Sequence, residues 1–223
     1  MKVILFGATG MVGQGVLREC LLDAEVSEVL IVGRTQTGRS HGKIREIVHK
    51  DLFDLNSIAP QLSGYDACFF CLGVSSVGMS EADYTLVTHD LTLAVAQVLA
   101  QQNPQMIFEY VSGTGTDSTE RGKSMWARVK GRTENELLRE PFRAAYMLRP
   151  GYIQPMHGVK SKTPLYRVFY VMLSWLYPVI RLFARKYAIT TEDLGRGMIK
   201  IAKSGAPKTI LENSDIEALA STR

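Results

Sequence analysis

Short, wholly apolar runs alternate along this chain with longer stretches in which apolar residues recur every three or four positions. The runs KVILF (2–6), EVLIVG (28–33), KIREIVHKD (43–51), DACFFCLG (66–73), QMIFEYVSG (105–113) and RAAYMLRPG (143–151) predict strands, most of them apolar on both faces. KTILEN (208–213) predicts a short last one. Helical spacing predicts helices over MVGQGVLRECLL (11–22), 80–102, MWARVKGRTENELLRE (125–140), 190–205 and SDIEALA (214–220). Ser80 is placed to cap the second of these, with Glu81 and Asp83 in its first turn. LNSIAPQL (55–62) suits a short helix or turn. Continuous apolar strands alternating with helices imply an α/β protein with a doubly wound parallel sheet covered on both faces.

No repeat, low-complexity segment or linker divides the sequence. The reading is one domain over 1–223. Within it, 151–223 forms a small, largely helical substrate-side cap and the C-terminal elements, because the alternation weakens after Pro150.

Glycine weakens strands and helices alike, so three of them in FGATGMVGQG need a reason. Gly7, Gly10 and Gly13 follow a strand and open a helix. In that setting Gly7 permits a tight turn, Gly10 lets the backbone approach a pyrophosphate, and Gly13 lets the helix pack closely on the strand. The free N–H groups and dipole of the helix N-terminus then favour phosphate. Thr9, Met11 and Val12 complete the expected phosphate loop. An NAD site would place an acid at the end of the second strand, to bond the ribose 2′-hydroxyl. Here the strand ends IVGR: Arg34 stands in that place, with Arg39 in the same loop to assist. A guanidinium fork suits a 2′-phosphate, so NADP is expected over NAD.

Composition adds exclusions. The chain has 223 residues, 46% of them hydrophobic and 22% charged, and a formal net charge of +4. Lys and Arg are scattered, so no nucleic-acid arm is expected. Cys20, Cys68 and Cys71 are too few for a disulfide framework and fit a reducing compartment. The offset between Cys68 and Cys71 sends them to opposite faces of a strand, against a redox pair or a metal site. Glycines interrupt the apolar N-terminus, which argues against a signal peptide, and the protein is expected in the cytoplasm. His89 and Asp90 point about 100° apart on a regular helix and are read as structural or surface residues.

The motifs GATGMVG, VGR, DLFDL, CLG, YVSGTG, ARVKGRTE, LRPGYI and YAITTEDLGRGM together resemble the short-chain dehydrogenase/reductases. Within them, the chain is similar to the atypical, epimerase-like branch related to Tat-interacting oxidoreductase-like proteins. The resemblance implies that Asp51 and Leu52 line the adenine pocket, that Leu72 and Gly73 pass beside the riboses, and that Pro150 and Gly151 lie near the nicotinamide. It puts Ser112 in the place of the catalytic serine and Lys130 in that of the lysine that bonds the nicotinamide ribose. The family's Tyr-x-x-x-Lys reads Trp126-Ala-Arg-Val-Lys130 here. An indole has no proton to exchange near neutral pH, so the cofactor half of the motif is present and its acid half is missing. Three repairs stand open: another donor (Tyr84, Tyr152 or His157), an acceptor such as a quinone or flavin that needs little acid help, or binding without turnover.

Two functions follow. One is an NADP-dependent oxidoreductase or isomerase acting on a small substrate that the sequence does not identify. The other is an NADP(H)-sensing or scaffold protein impaired in catalysis. The aromatic segment 164–186 reads as a substrate-pocket helix or a homodimer contact; the alternative is a peripheral membrane helix with Tyr170, Trp175 and Tyr177 at headgroup level.

Overall fold

The structure, a computed structural model, describes residues 1–159 and 187–221. Its centre is β1 (Lys2–Phe6), with apolar side chains on both faces: Ile4 and Phe6 enter one core, Val3 and Leu5 the other. Parallel neighbours flank it, β2 (Glu28–Gly33) on one side and β4 (Ala67–Phe70) on the other, with Phe6 in register with Val32 and Phe70. Outside β2 lies β3 (Ile44–Val48), an edge strand that is only partly buried. Beyond β4 come β5 (Ile107–Val111), β6 (Ala144–Arg149) and β9 (Ile210–Glu212), all parallel. The order β3-β2-β1-β4-β5-β6-β9 makes the expected doubly wound sheet of seven strands.

Helices cover both faces. On one lie α1 (Met11–Leu22), α5 (Thr191–Ser204) and α6 (Asn213–Ser221), packed on Val3, Leu5, Ile31 and Phe69. The other carries a 3-10 helix (Asn56–Leu62), α2 (Glu81–Thr85), α3 (Leu91–Gln102) and α4 (Met125–Leu137). The expected long helix over 80–102 is capped by Ser80, whose hydroxyl accepts from the Asp83 N–H. It is not regular: a π turn over Leu86–Asp90 joins α2 to α3. Within this turn His89 Nδ1 lies 2.7 Å from Asp90 Oδ1. His89 is buried against α4, its Nε2 3.1 Å from Glu136 Oε1.

Two features were not expected. A separate parallel pair, β7 (Tyr152–Gln154) and β8 (Ala188–Thr190), ties the chain leaving the sheet to the chain returning into α5. Glu109, mid-sheet between Phe69 and Tyr146, is fully buried with no hydrogen-bond partner for either carboxyl oxygen. Burial pushes its pKa well above the ordinary carboxylate range. Cys68 and Cys71 face opposite cores as expected, and all three cysteines are free. No helix among the described residues is long and apolar enough to cross a membrane. The aromatic segment 164–186 lies outside the described residues.

Candidate functional site

All strands of the main sheet run the same way, so the residues that follow their carboxyl ends share one edge. Gly7–Gly13 follows β1, Arg34 follows β2, Asp51 and Leu52 follow β3, Leu72 and Gly73 follow β4, Ser112 follows β5, and Pro150 and Gly151 follow β6. The chain runs outward from β1 to β3 and then returns to the other side of β1 at β4. Connections diverge there, which opens a crevice at the carboxyl ends of β1 and β4.

The three glycines behave differently in that crevice. Gly7 sits at φ +82°, and a Cβ on it would lie 2.6 Å from the Cys71 backbone. A Cβ on Gly13 would lie 2.2 Å from the Gly7 carbonyl oxygen. Both are therefore demanded by the fold itself. Gly10 is not: a Cβ there would meet one atom within 4 Å, the Gly7 oxygen at 3.3 Å. Gly10 is also the N-cap of α1, and no side chain caps that helix. The first-turn N–H groups of Met11, Val12 and Gly13 thus open onto a bare backbone, which fits a diphosphate. The Thr9 carbonyl accepts from Gln14 Nε2 at 3.1 Å, bracing the loop from within.

Around this cradle the other expected residues are spread. Arg34 and Arg39 are exposed on the loop after β2. That loop is tied down by Glu46 of β3, which accepts from the Thr37 N–H at 2.7 Å. Asp51 is exposed and accepts from the Phe53 N–H, whereas the Leu52 side chain is buried in the core. Leu72 is half-buried and Gly73 exposed. Pro150 is buried, and its carbonyl accepts from the Thr114 N–H at 2.9 Å, closing the ends of β5 and β6 together. The Gly151 N–H donates to Asn213 Oδ1 at 2.9 Å.

Ser112, Trp126 and Lys130 do come together. Lys130 Nζ donates to the Ser112 carbonyl, anchoring α4 over the end of β5. One turn earlier, the Trp126 ring leans on the loop after β5, 3.3 Å from where a Cβ of Gly115 would stand. The Ser112 hydroxyl is turned into the protein, where it donates to Glu134 Oε1 at 2.5 Å and lies 3.0 Å from the Leu148 carbonyl. Glu134 is fully buried and paired with Arg149, whose Nε lies 3.1 and 3.2 Å from its two oxygens. Arg149 also donates to Ser118 Oγ at 2.5 Å, pinning the loop between β5 and α4. Burial pulls the Lys130 ammonium down to about 8, while the Glu134 charge works in the opposite direction.

Glu134 and Arg149 were not singled out in the sequence. The i,i+4 spacing from Lys130 to Glu134 was a signal, as was an arginine ending the otherwise apolar strand AAYMLR.

The three alternative donors lie in different surroundings. Tyr84 is buried beneath α2, and burial raises its pKa. The Tyr152 hydroxyl donates to Gln154 Oε1 at 2.9 Å. His157 is exposed, at φ +54°, with Nε2 2.7 Å from Glu192 Oε2 on the first turn of α5. Among the described residues no cluster of His, Cys, Asp and Glu could hold a metal.

A glycine turn feeding an uncapped helix at the switch point of a parallel sheet defines the class of dinucleotide-binding α/β proteins. Within that class the chain belongs to the NAD dependent epimerase/dehydratase family, whose pattern matches residues 3–129. This agrees with the resemblance to the epimerase-like branch. It is 27% identical over 155 residues to the protein HTATIP2 of Rattus norvegicus, covering 68% of this chain and 62% of that protein. To FMP52, mitochondrial, of Eremothecium gossypii it is 28% identical over 155 residues, covering 69% and 66%. The match thus spans just under two thirds of either relative's length. Among solved structures, the Bordetella bronchiseptica enzyme WbmF in complex with NAD+ shares the fold, with a TM-score of 0.67 at 16% identity over 99% of this chain and 76% of that one.

Proposed function

We propose that the protein is an NADP-dependent oxidoreductase of the epimerase-like class, acting on a small carbonyl compound or quinone. The observation that carries this reading is the open backbone at Gly10, placed at the N-terminus of α1 in the switch-point crevice. The cofactor would supply hydride chemistry there. Gly10 and the first-turn N–H groups of α1 would hold its diphosphate, and Lys130 its nicotinamide ribose. Asp51, Leu72, Gly73, Pro150 and Gly151, all on the same edge, would border the adenosine and nicotinamide ends. The bound NAD+ of WbmF supports a nicotinamide dinucleotide. Arg34, exposed on the loop after β2 where an NAD site would carry an acid, supports NADP. Calorimetry is expected to give NADPH at least about tenfold tighter binding than NADH, as a charge-assisted contact of roughly 1.5–3 kcal/mol implies. Arg34→Ala should remove that preference. Equal affinities for the two cofactors would refute the assignment.

A second reading, an NADP(H) sensor without turnover, is favoured by one observation: Trp126 lies on Gly115 where the family's phenol would stand. NADPH consumption across a panel of carbonyls and quinones separates the two.

A further inference from the structure

Resting on the oxidoreductase reading, the geometry points to Lys130 Nζ as the group that gives the proton to the substrate oxygen, in place of the phenol that Trp126 has displaced. Among the described residues, Ser112, Thr114, Tyr84, Tyr152 and His157 have their protons committed or lie elsewhere. The Ser112 hydroxyl faces inward onto Glu134 and Leu148. Thr114 Oγ1 donates to the Arg149 carbonyl at 3.0 Å. Tyr84 is in the core, Tyr152 is bonded to Gln154, and His157 is paired with Glu192.

Lys130 is different. It shares the Trp126 face of α4, one turn along, and is held by the last carbonyl of β5 at the carboxyl edge. An ammonium carries three N–H donors, so two remain when one is bonded to Ser112. The charged group that bears on it is Glu134 on its own helix, itself engaged by Arg149 of β6. A pKa near 8 leaves the ammonium protonated at neutral pH and acidic enough to give the proton up, close to the optimum for a general acid. A bound nicotinamide would supply hydride to the carbonyl carbon; Lys130 supplies the proton, an Nζ–H bond breaking as the substrate O–H bond forms. Lys130 is left as a neutral amine and recovers its proton from water.

The test separates this role from cofactor binding. Lysines of the apo protein are labelled by carbon-13 reductive methylation and titrated by NMR, with Lys130→Arg identifying the resonance. Lys130 is expected to titrate near 8 while exposed lysines titrate near their ordinary value of about 10.4. Arginine keeps the charge and donors but does not release a proton in this range. Lys130→Arg is therefore compared at saturating NADPH, where any change in its ribose contact does not count, and should lose roughly 10²–10⁴ in kcat on phenanthrenequinone. Wild-type turnover should fall above pH 8. Full turnover by Lys130→Arg, or no turnover by a wild type that binds NADPH, overturns the assignment. So does a Lys130 resonance that titrates with the exposed lysines. Failure of wild type to bind either cofactor overturns the oxidoreductase reading, and this role with it.

Discussion

Replacing Glu109 should stabilise the protein, and by more as the pH rises. Its carboxyl is fully buried in β5 without a partner for either oxygen, and burial holds it neutral well above its ordinary pKa of 4.5. In the unfolded chain the same group ionises freely. The native state therefore binds one proton more than the unfolded state between the two pKa values, and stability falls with rising pH. Its contribution is intact below pH 4.5 and is lost progressively up to the folded pKa. While the folded acid stays neutral the loss grows by about 1.4 kcal/mol per pH unit, and each kcal/mol is worth roughly 2–4 °C in Tm for a chain of this size. Glu109→Gln keeps the shape and removes the titration. Its advantage over wild type should be small at pH 4.5 and widen on this slope. Glu109→Met also removes the unpartnered polar atoms and should add roughly 1–3 kcal/mol at every pH. Urea unfolding of the three proteins at half-unit pH steps measures both parts. A wild type whose stability runs parallel to that of Glu109→Gln would refute the reasoning.

Other substitutions divide folding from function. Gly13→Ala drives a methyl into the Gly7 carbonyl and should cost roughly 1–3 kcal/mol or more in urea unfolding, whereas Gly10→Ala should fold normally and lose dinucleotide binding in calorimetry. Arg149→Met strands the buried Glu134 carboxylate and should cost about 3–5 kcal/mol by the same assay. Glu134→Gln removes the charge that favours the Lys130 ammonium, so the Lys130 NMR midpoint should fall below 8. Trp126→Tyr places a phenol one turn from Lys130; with Lys130 already giving the proton, NADPH-dependent carbonyl reduction should change by less than about tenfold, and a rise of roughly 10²–10⁴ would mean that wild type has no working acid.

The sheet was legible because its strands are buried on both faces, which writes them as unbroken apolar runs such as VILF and ACFF. The phosphate turn was legible because Gly7 and Gly13 answer to local steric demands. The pairing of Glu134 with Arg149 was not, since it joins a helix to a strand through a meeting that only the assembled sheet creates. Nor was the inward turn of the Ser112 hydroxyl, which follows from that pair. The π turn escaped because each of its residues suits a regular helix, and its mark is a contact between neighbours, His89 and Asp90. β7 and β8 are three residues each, too short for any periodicity to show.

That short pair has a wider consequence. With Tyr152–Gln154 fastened beside Ala188–Thr190, the polypeptide departs from and re-enters the sheet scaffold at neighbouring points. Such an arrangement works as an insertion port. Once the two ends are clasped, doubling the length of chain between them costs only about 0.6 kcal/mol in closure entropy. The stretch between them can therefore change in length at little cost, while the glycine turn after β1 keeps its geometry on the other side of the clasp.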